Sequence, residues 1–346
     1  MILATCTFDR KAAGAYIGAG VHRIMDRRVR VWHERFGLAA LNRRDYVHAV
    51  LVAVMVGLVF TLFHLQGNTT DIRAFGRSAL VWMARRWTES TGDFSHGWLI
   101  PIVSAVVVWM RRRDLAAAPK RVSRIGLAVV CGALLLHWLG AKSQQTRLSL
   151  MGLILLIWGI PFYLFGWEVA RRLIFPCAYL IYCIPLNFLD SLTFPLRIFM
   201  ATVTTLLLNG MGIAAERSGS AIYSLAGGGF SFDVADPCSG LRSLLAMTAL
   251  TAVYASFTQK TLLKKWILFL AAIPIAVAGN VVRVTTVALV AEAFGEKPAL
   301  GLYHDYSGYV VFAVGILLMV STGYLLNVDF RAAFERWKQV NTGRTS

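Results

Sequence analysis

The chain has 346 residues, is 57% hydrophobic and only 15% charged, and has a mean hydropathy of +0.60, which excludes an ordinary soluble domain and marks a polytopic membrane protein. Its formal charge of +17, from 35 Lys and Arg against 18 Asp and Glu, lies in short clusters between apolar runs, the pattern of cytoplasmic loops and not of a nucleic-acid surface. Five cysteines (Cys6, Cys131, Cys177, Cys183, Cys238) form no CxxC pair and no metal-ligand spacing, so neither a disulfide framework, a zinc site nor any other cofactor is implied.

Residues 1–45 form a basic tail with too little continuous apolar length for a signal peptide or a span, and are expected to stay in the cytoplasm. The stretch Arg23–Leu41 is either a basic amphipathic helix on anionic lipid or a loosely ordered tail. A first span is predicted at Tyr46–Leu65, close to the ~20 residues that cross a bilayer. Gln66–His96, with mixed charges and Trp82 and Trp87, reads as an outer-face interfacial segment. The second span, Gly97–Met110, runs into Arg111-Arg112-Arg113 and then Lys120-Arg121, which places that loop inside. Ile125–Gly140 and Leu148–Phe165 pair as the third and fourth spans, and Arg171-Arg172 precedes a fifth at Leu173–Leu186. Cys131, Cys177 and Cys183 fall inside these spans and are assigned to packing.

Ser191–Ile213 is apolar enough to be a span, but parity argues otherwise. Lys260, Lys264 and Lys265 should be cytoplasmic, so the helix before them runs inward and the chain stays outside until Cys238. Ser191–Ile213 is therefore expected to lie along the outer interface or to re-enter. Ala221–Leu225 and Phe230–Val234 alternate around Ala226–Gly229 and predict a β-hairpin that roofs an outer cavity. Further spans follow at Cys238–Phe257, Leu262–Ala291 and Gly308–Leu326, and residues 327–346 are a basic inner tail. The expected architecture is an all-α membrane domain over 46–326, with about eight spans and both termini cytoplasmic.

In Asp236-Pro237-Cys238-Ser239-Gly240-Leu241-Arg242, Asp236 suits an N-cap and Pro237 the first helical position, which puts Cys238 in the first turn. There the unpaired N–H groups and the helix dipole favour a thiolate, although Asp236 opposes them. Cys238 is a nucleophile on this reading and a small buried hydrophobe on the other. The seventh span carries Asn280 and Arg283 one turn apart on one face, and an intramembrane arginine, which costs at least ~2.5 kcal/mol, faces a partner or a wet cavity unless it snorkels to headgroups. His304 precedes the eighth span in a loop, and His96 ends the outer segment, where it binds substrate, completes a hydrogen-bond network or only packs. Three separate segments thus bring Cys238, Arg283 and His304 to one side at nearly one depth.

These residues resemble the exosortase/archaeosortase family of membrane cysteine transpeptidases: Pro237-Cys238-Ser239-Gly240-Leu241-Arg242, Asn280-Val281-Val282-Arg283, His304 with Gly308, and Ser95-His96-Gly97 followed by Arg111-Arg112-Arg113. The resemblance covers roughly residues 46–326. It implies Cys238 as nucleophile, Arg283 as essential cation and His304 as third member, supported by Ser239, Gly240, Arg242, Asn280 and His96. It also implies a bacterial inner-membrane enzyme with a periplasmic site. The implied substrates are exported proteins whose C-terminal signal carries Pro-Glu-Pro, a transmembrane stretch and a basic tail, in cells that make exopolysaccharide.

On this reading the Cys238 thiolate attacks the scissile carbonyl, a thioester forms, and an amine or water releases it, with His304 moving protons. Arg283 pairs with the thiolate, the oxyanion or the signal's glutamate. The competing class is a transporter or channel for an anionic glycan or lipid intermediate, in which Arg283, His304 and His96 line a polar path and Cys238 has no task.

Overall fold

The computed structural model describes residues 43–70, 72–88, 94–185, 188–225, 230–233, 241–299, 301 and 304–328. Its main helices are α1 (Arg43–Gln66), α2 (Ala79–Thr88), α3 (Leu99–Met110), α4 (Arg124–Lys142), α5 (Thr146–Phe165), α6 (Trp167–Tyr179), α7 (Phe188–Gly210), α8 (Leu241–Thr258), α9 (Leu262–Phe294) and α10 (His304–Leu325). Short 3-10 turns at Ser95–Trp98 and Leu180–Cys183 lead into α3 and continue α6. Two compact units divide the chain at Leu62 and Phe63. In the first, the α1 residues Leu51, Val54 and Leu58 are exposed; everything below concerns the second.

Among the described residues four helices are long and apolar enough to cross a membrane: Arg124–Lys142, Thr146–Phe165, Leu262–Phe294 and Tyr306–Leu325. Shorter apolar helices cover Val50–Gln66, Ser95–Met110, Phe194–Gly210 and Ser243–Thr258. The expected fifth span is a helix that starts earlier than its hydropathy suggests, so Arg171 and Arg172 lie inside α6, where both meet Glu168. Ser191–Ile213 is continuous helix over most of its length, broken by neither Pro195 nor Arg197.

Small residues make the tightest seam. A Cβ built on Gly140 would stand 2.6 Å from the Ser149 backbone nitrogen, and one on Gly152 2.8 Å from the Ala133 oxygen, so α4 and α5 pack backbone to backbone. Buried in that seam, His137 Nδ1 and Ser149 Oγ lie 2.7 Å apart, a pairing that the sequence reading did not assign to His137. Gly166 turns the chain from α5 to α6 at φ 82°, where an L side chain would be strained. At this end Pro176, lacking an N–H, leaves the Arg172 carbonyl without its helical donor; Arg111 Nη1 supplies one at 2.9 Å. Arg121 and Ser123 also bond to the last carbonyls of α5, so the basic clusters gather at one end of the bundle.

The opposite end is tied by polar contacts. Thr146 Oγ1 donates to Asn68 Oδ1 at 2.7 Å, Arg147 Nε to the Pro185 carbonyl at 2.6 Å, and Trp87 Nε1 to the Cys183 carbonyl at 2.8 Å. Trp82 and Trp87, read from sequence as part of an interfacial segment, are instead core residues, 1% and 7% exposed, packed with Leu150, Tyr179, Cys183 and Ala249. Cys177 and Cys183 are buried as expected; Cys131 is exposed, which corrects its assignment to packing. A helix that must look outward toward lipid has room for small apolar side chains on its outer face, and periodicity over one span does not say which face that is.

The β-hairpin forms, with β2 (Ala221–Ser224) antiparallel to β3 (Ser231–Asp233) and Ile222 opposite Phe232. A third strand, β1 (Ala215–Ser218), pairs with β2 through a turn at Gly219. Sequence reading missed it because four residues reading Ala-Glu-Arg-Ser carry no apolar alternation. The sheet closes over the ends of α7 and α9, where Ala215, Ile222 and Phe230 share a core with Leu208, Val287 and Ala291.

Candidate active site

Cys238, Ser239, Gly240 and the turn Asp236-Pro237 lie outside the described residues, so the expected N-cap arrangement is not part of the structure described. Arg242 is the second residue of α8. What the structure does give is the frame into which α8 begins.

Three helices define that frame. Thr251 Oγ1 of α8 donates to Met319 Sδ of α10 at 3.0 Å, 68 residues on, and Met247 packs 3.2 Å from the Cβ position of Gly315, the same spacing in sequence. Tyr254 fills the space beside Gly323, and Asn327 reaches the Thr258 carbonyl. The two helices therefore run parallel, and carrying the register back sets Leu241 level with Tyr309, the neighbour of Gly308. Against α10, α9 runs antiparallel: a Cβ on Gly279 would come within 2.8 Å of Val311 Cγ1, and one on Gly308 within 3.2 Å of Arg283 Nη2. The start of α8, Gly308 of α10 and Arg283 of α9 thus occupy one level.

Arg283 is half-buried. Its guanidinium lies close against Gly308, with Nη2 3.2 Å from the Cβ position, so a side chain there would push against it. Asn280 is 2% exposed, and its Nδ2 donates to Met200 Sδ of α7 at 3.2 Å. Asn280 and Arg283, about 60° apart around α9, share one broad face, from which Asn280 reaches α7 and Arg283 reaches α10. One turn beyond Met200, the fully buried Thr204 hydroxyl has no hydrogen-bond partner among the described residues, which adds a second polar group to this seam. Glu292 stands nine residues past Arg283, two and a half turns, and leaves α9 on the opposite side.

His304 is the first residue of α10 and not a loop residue, as the sequence had suggested. It precedes Gly308 by one helical turn, so its backbone sits directly above the glycine that receives Arg283. His96 lies in the 3-10 turn before α3, half-buried, with its ring 6.1 Å from that of Phe94. A Cβ on the adjacent Gly97 would run into the Trp87 indole, so the turn bearing His96 rests directly on that ring. Among the described residues no three His, Cys, Asp or Glu side chains gather as a metal site would need.

Sequence reasoning missed the part played by Gly308. The available signal was a glycine four residues into a helix, on the face later taken by Gly315, where only a close neighbour explains the missing side chain.

Comparison with curated proteins and with solved structures returned no match. The family model described as Transmembrane exosortase (Exosortase_EpsH) matches residues 87–321, about two thirds of the chain. The matched segment runs from Trp87 through the three-helix frame around Arg283 and ends inside α10. The chain belongs to the transmembrane exosortase family, the membrane-embedded cysteine transpeptidases that process PEP-CTERM sorting signals.

Proposed function

We propose that Cys238 is the nucleophile of this transpeptidase, that Arg283 is its essential cation and that His304 moves the protons. The observation that carries the proposal is the level shared by Leu241, Gly308 and Arg283, with His304 one turn away. Cys238 precedes Leu241 by three residues, and three residues of chain reach at most about 11 Å.

In the reaction, the Cys238 thiolate adds to the scissile carbonyl of the sorting signal and the carbonyl π electrons move onto oxygen. Collapse of that tetrahedral species breaks the C–N bond, and His304 protonates the departing amine. An acceptor amine or water then attacks the thioester, giving up its proton to His304, and the thiolate leaves. Arg283 is fixed before substrate arrives: Gly308 leaves room for its guanidinium, and Asn280 anchors the preceding turn of α9 to α7. A cation held in place by packing needs no reorganisation as charge develops on the oxyanion or on the thiolate. Ser239, Gly240 and Arg242, next to the nucleophile in sequence, support it, and so does His96 from the turn before α3.

The substrates are exported proteins whose C-terminal signal carries Pro-Glu-Pro, a transmembrane stretch and a basic tail. Such a signal enters the bilayer beside the enzyme with its motif at the level of α8's first turn. The end bearing Arg111, Arg121 and Arg172 is assigned to the cytoplasm by the positive-inside rule, which turns the site toward the periplasm of a bacterial inner membrane and leaves both termini inside.

The test is mass spectrometry of the full-length enzyme after incubation in cells with a reporter bearing such a signal. An acyl adduct on Cys238 is expected, together with loss of processing in Cys238→Ala. Reporter cleavage that persists in Cys238→Ala overturns the assignment.

A further inference from the structure

The sheet that closes over α7 and α9 has two outer edges, and the chain treats them differently. In an antiparallel ladder, successive residues of a strand point their N–H and C=O groups alternately toward the neighbouring strand and away from it. Between β1 and β2 the bond from Leu225 N to the Ala214 carbonyl, at 2.8 Å, sets that alternation, so Ala215 and Arg217 face the free side of β1. Ala215 is closed off there: its N–H donates to Asn209 Oδ1 at 2.9 Å, and its carbonyl accepts from Asn209 Nδ2 at 3.1 Å. One side-chain amide from α7 thus stands where a further strand would pair.

The free side of β3 is left open. The bond from Ser224 N to the Phe230 carbonyl, at 2.9 Å, makes Ile222 and Phe232 the next bonded pair, which turns the N–H and C=O groups of Ser231 and Asp233 outward. Ser231 is exposed, and among the described residues no strand pairs with β3 on that side. The place of this edge follows from its start. Phe230, buried just before β3, shares a core with Val284, the residue after Arg283, and with Val287, one turn of α9 beyond Arg283. In sequence Cys238 follows Asp233 by five residues, a reach of at most about 18 Å.

We infer that the free edge of β3 receives the extended segment of the sorting signal as a fourth strand. The inference rests on the proposed function, to which it adds the manner of substrate capture. Main-chain bonds to Ser231 and Asp233 hold the segment beside the turn of α9 that carries Arg283, and they do so without reading its side chains. Pro-Glu-Pro fits such an edge in one way. In an extended strand the N–H and C=O of one residue point to the same side and those of its two neighbours to the other. The glutamate therefore bonds to β3 while both prolines, which lack an N–H, face away. Prolines on that outer side also admit no fifth strand, so the bound signal ends the sheet.

The experiment uses the full-length enzyme in bacterial membranes with exported reporters that carry one cysteine at successive positions before the transmembrane stretch. Ser231→Cys, combined with Cys238→Ala to keep the reporter intact, is oxidised against each of them. Disulfide cross-links are expected at alternate reporter positions, the period of a paired strand. Cross-links that recur every three or four positions, that follow no period or that fail to form overturn the fourth strand. With Cys238 in place, Ser231→Pro deletes an outward N–H and no bond of the sheet itself, and processing is expected to fall about tenfold, whereas Arg217→Pro does the same to the other edge and should keep processing within about twofold of wild type. Equal processing by the two proline variants overturns the inference. If Ser231→Pro does not accumulate in the membrane, the cross-link period decides. Reporter cleavage that survives Cys238→Ala strikes the nucleophile instead and leaves the comparison of proline variants standing, so the two failures remain distinct.

Discussion

Gly308 and Arg283 are in close contact: the guanidinium from α9 lies 3.2 Å from the Cβ position of Gly308 on α10. That contact makes the cation's location a property of two helices. Gly308→Ala asks the guanidinium to give by a few tenths of an ångström and is expected to lower processing severalfold. Gly308→Val displaces it outright and should bring processing near the level of Arg283→Gln, about 10²-fold down, with accumulation in the membrane maintained. Gly308→Val at wild-type activity would separate Arg283 from catalysis. Processing of a sorting-signal reporter, scaled to membrane protein level, is the readout.

Arg283→Lys keeps the charge but replaces a planar fork by a point charge on a flexible stem. It should retain less than about a tenth of wild-type processing, because the close approach to Gly308 fits a flat group. Near-full activity in Arg283→Lys would limit the arginine to a charge role.

The His137–Ser149 pair lies deep in the seam between α4 and α5 and plays no part in the proposed chemistry. Ser149→Ala leaves one buried partner without the other and is expected to cost about 1 kcal/mol of stability, read as a lower midpoint in detergent unfolding. Activity per folded molecule should not change. Replacing both residues by apolar ones of similar volume should recover part of the loss.

Gly97→Ala drives a methyl group into the Trp87 indole and so disturbs the turn that bears His96. A fall in processing similar to that of His96→Ala is expected, while His96→Phe, which keeps the ring volume, separates packing from hydrogen bonding. Equal activity of His96→Phe and wild type would leave His96 with packing alone.

Much of the fold was legible because hydropathy and charge act over whole segments. The long runs that became α4, α5, α9 and α10 appear in composition alone, and the basic clusters beside α3, α4 and α6 announce one common end. Contacts between helices were not legible. Nothing in the local sequence shows that Trp82 and Trp87 turn inward, that Cys131 faces out, or that Asn280 bonds to a methionine 80 residues away. Each depends on which neighbour packs against which face, and a single chain read by period gives no partner for any face. Strand β1 escaped for a different reason, being too short and polar to leave a periodic trace. For the site, Arg283 was visible as a charge where charge is costly, whereas Gly308 mattered for the side chain it does not have.

The parallel lock between α8 and α10 has a mechanical consequence. Helices held at one fixed offset by Met247 on Gly315, Thr251 on Met319 and Tyr254 on Gly323 slide along their axes as a pair. The heads of the two helices, Leu241 opening one and His304 the other, would keep their mutual height through such a motion. Arg283 rides on α9, which runs the other way and is tied through Asn280 to α7. Axial sliding of the pair would then alter the height of the Arg283 guanidinium relative to the heads of α8 and α10 together, so a helix wedged against α8 or α10 acts on one coordinate, the approach of that cation to the start of α8.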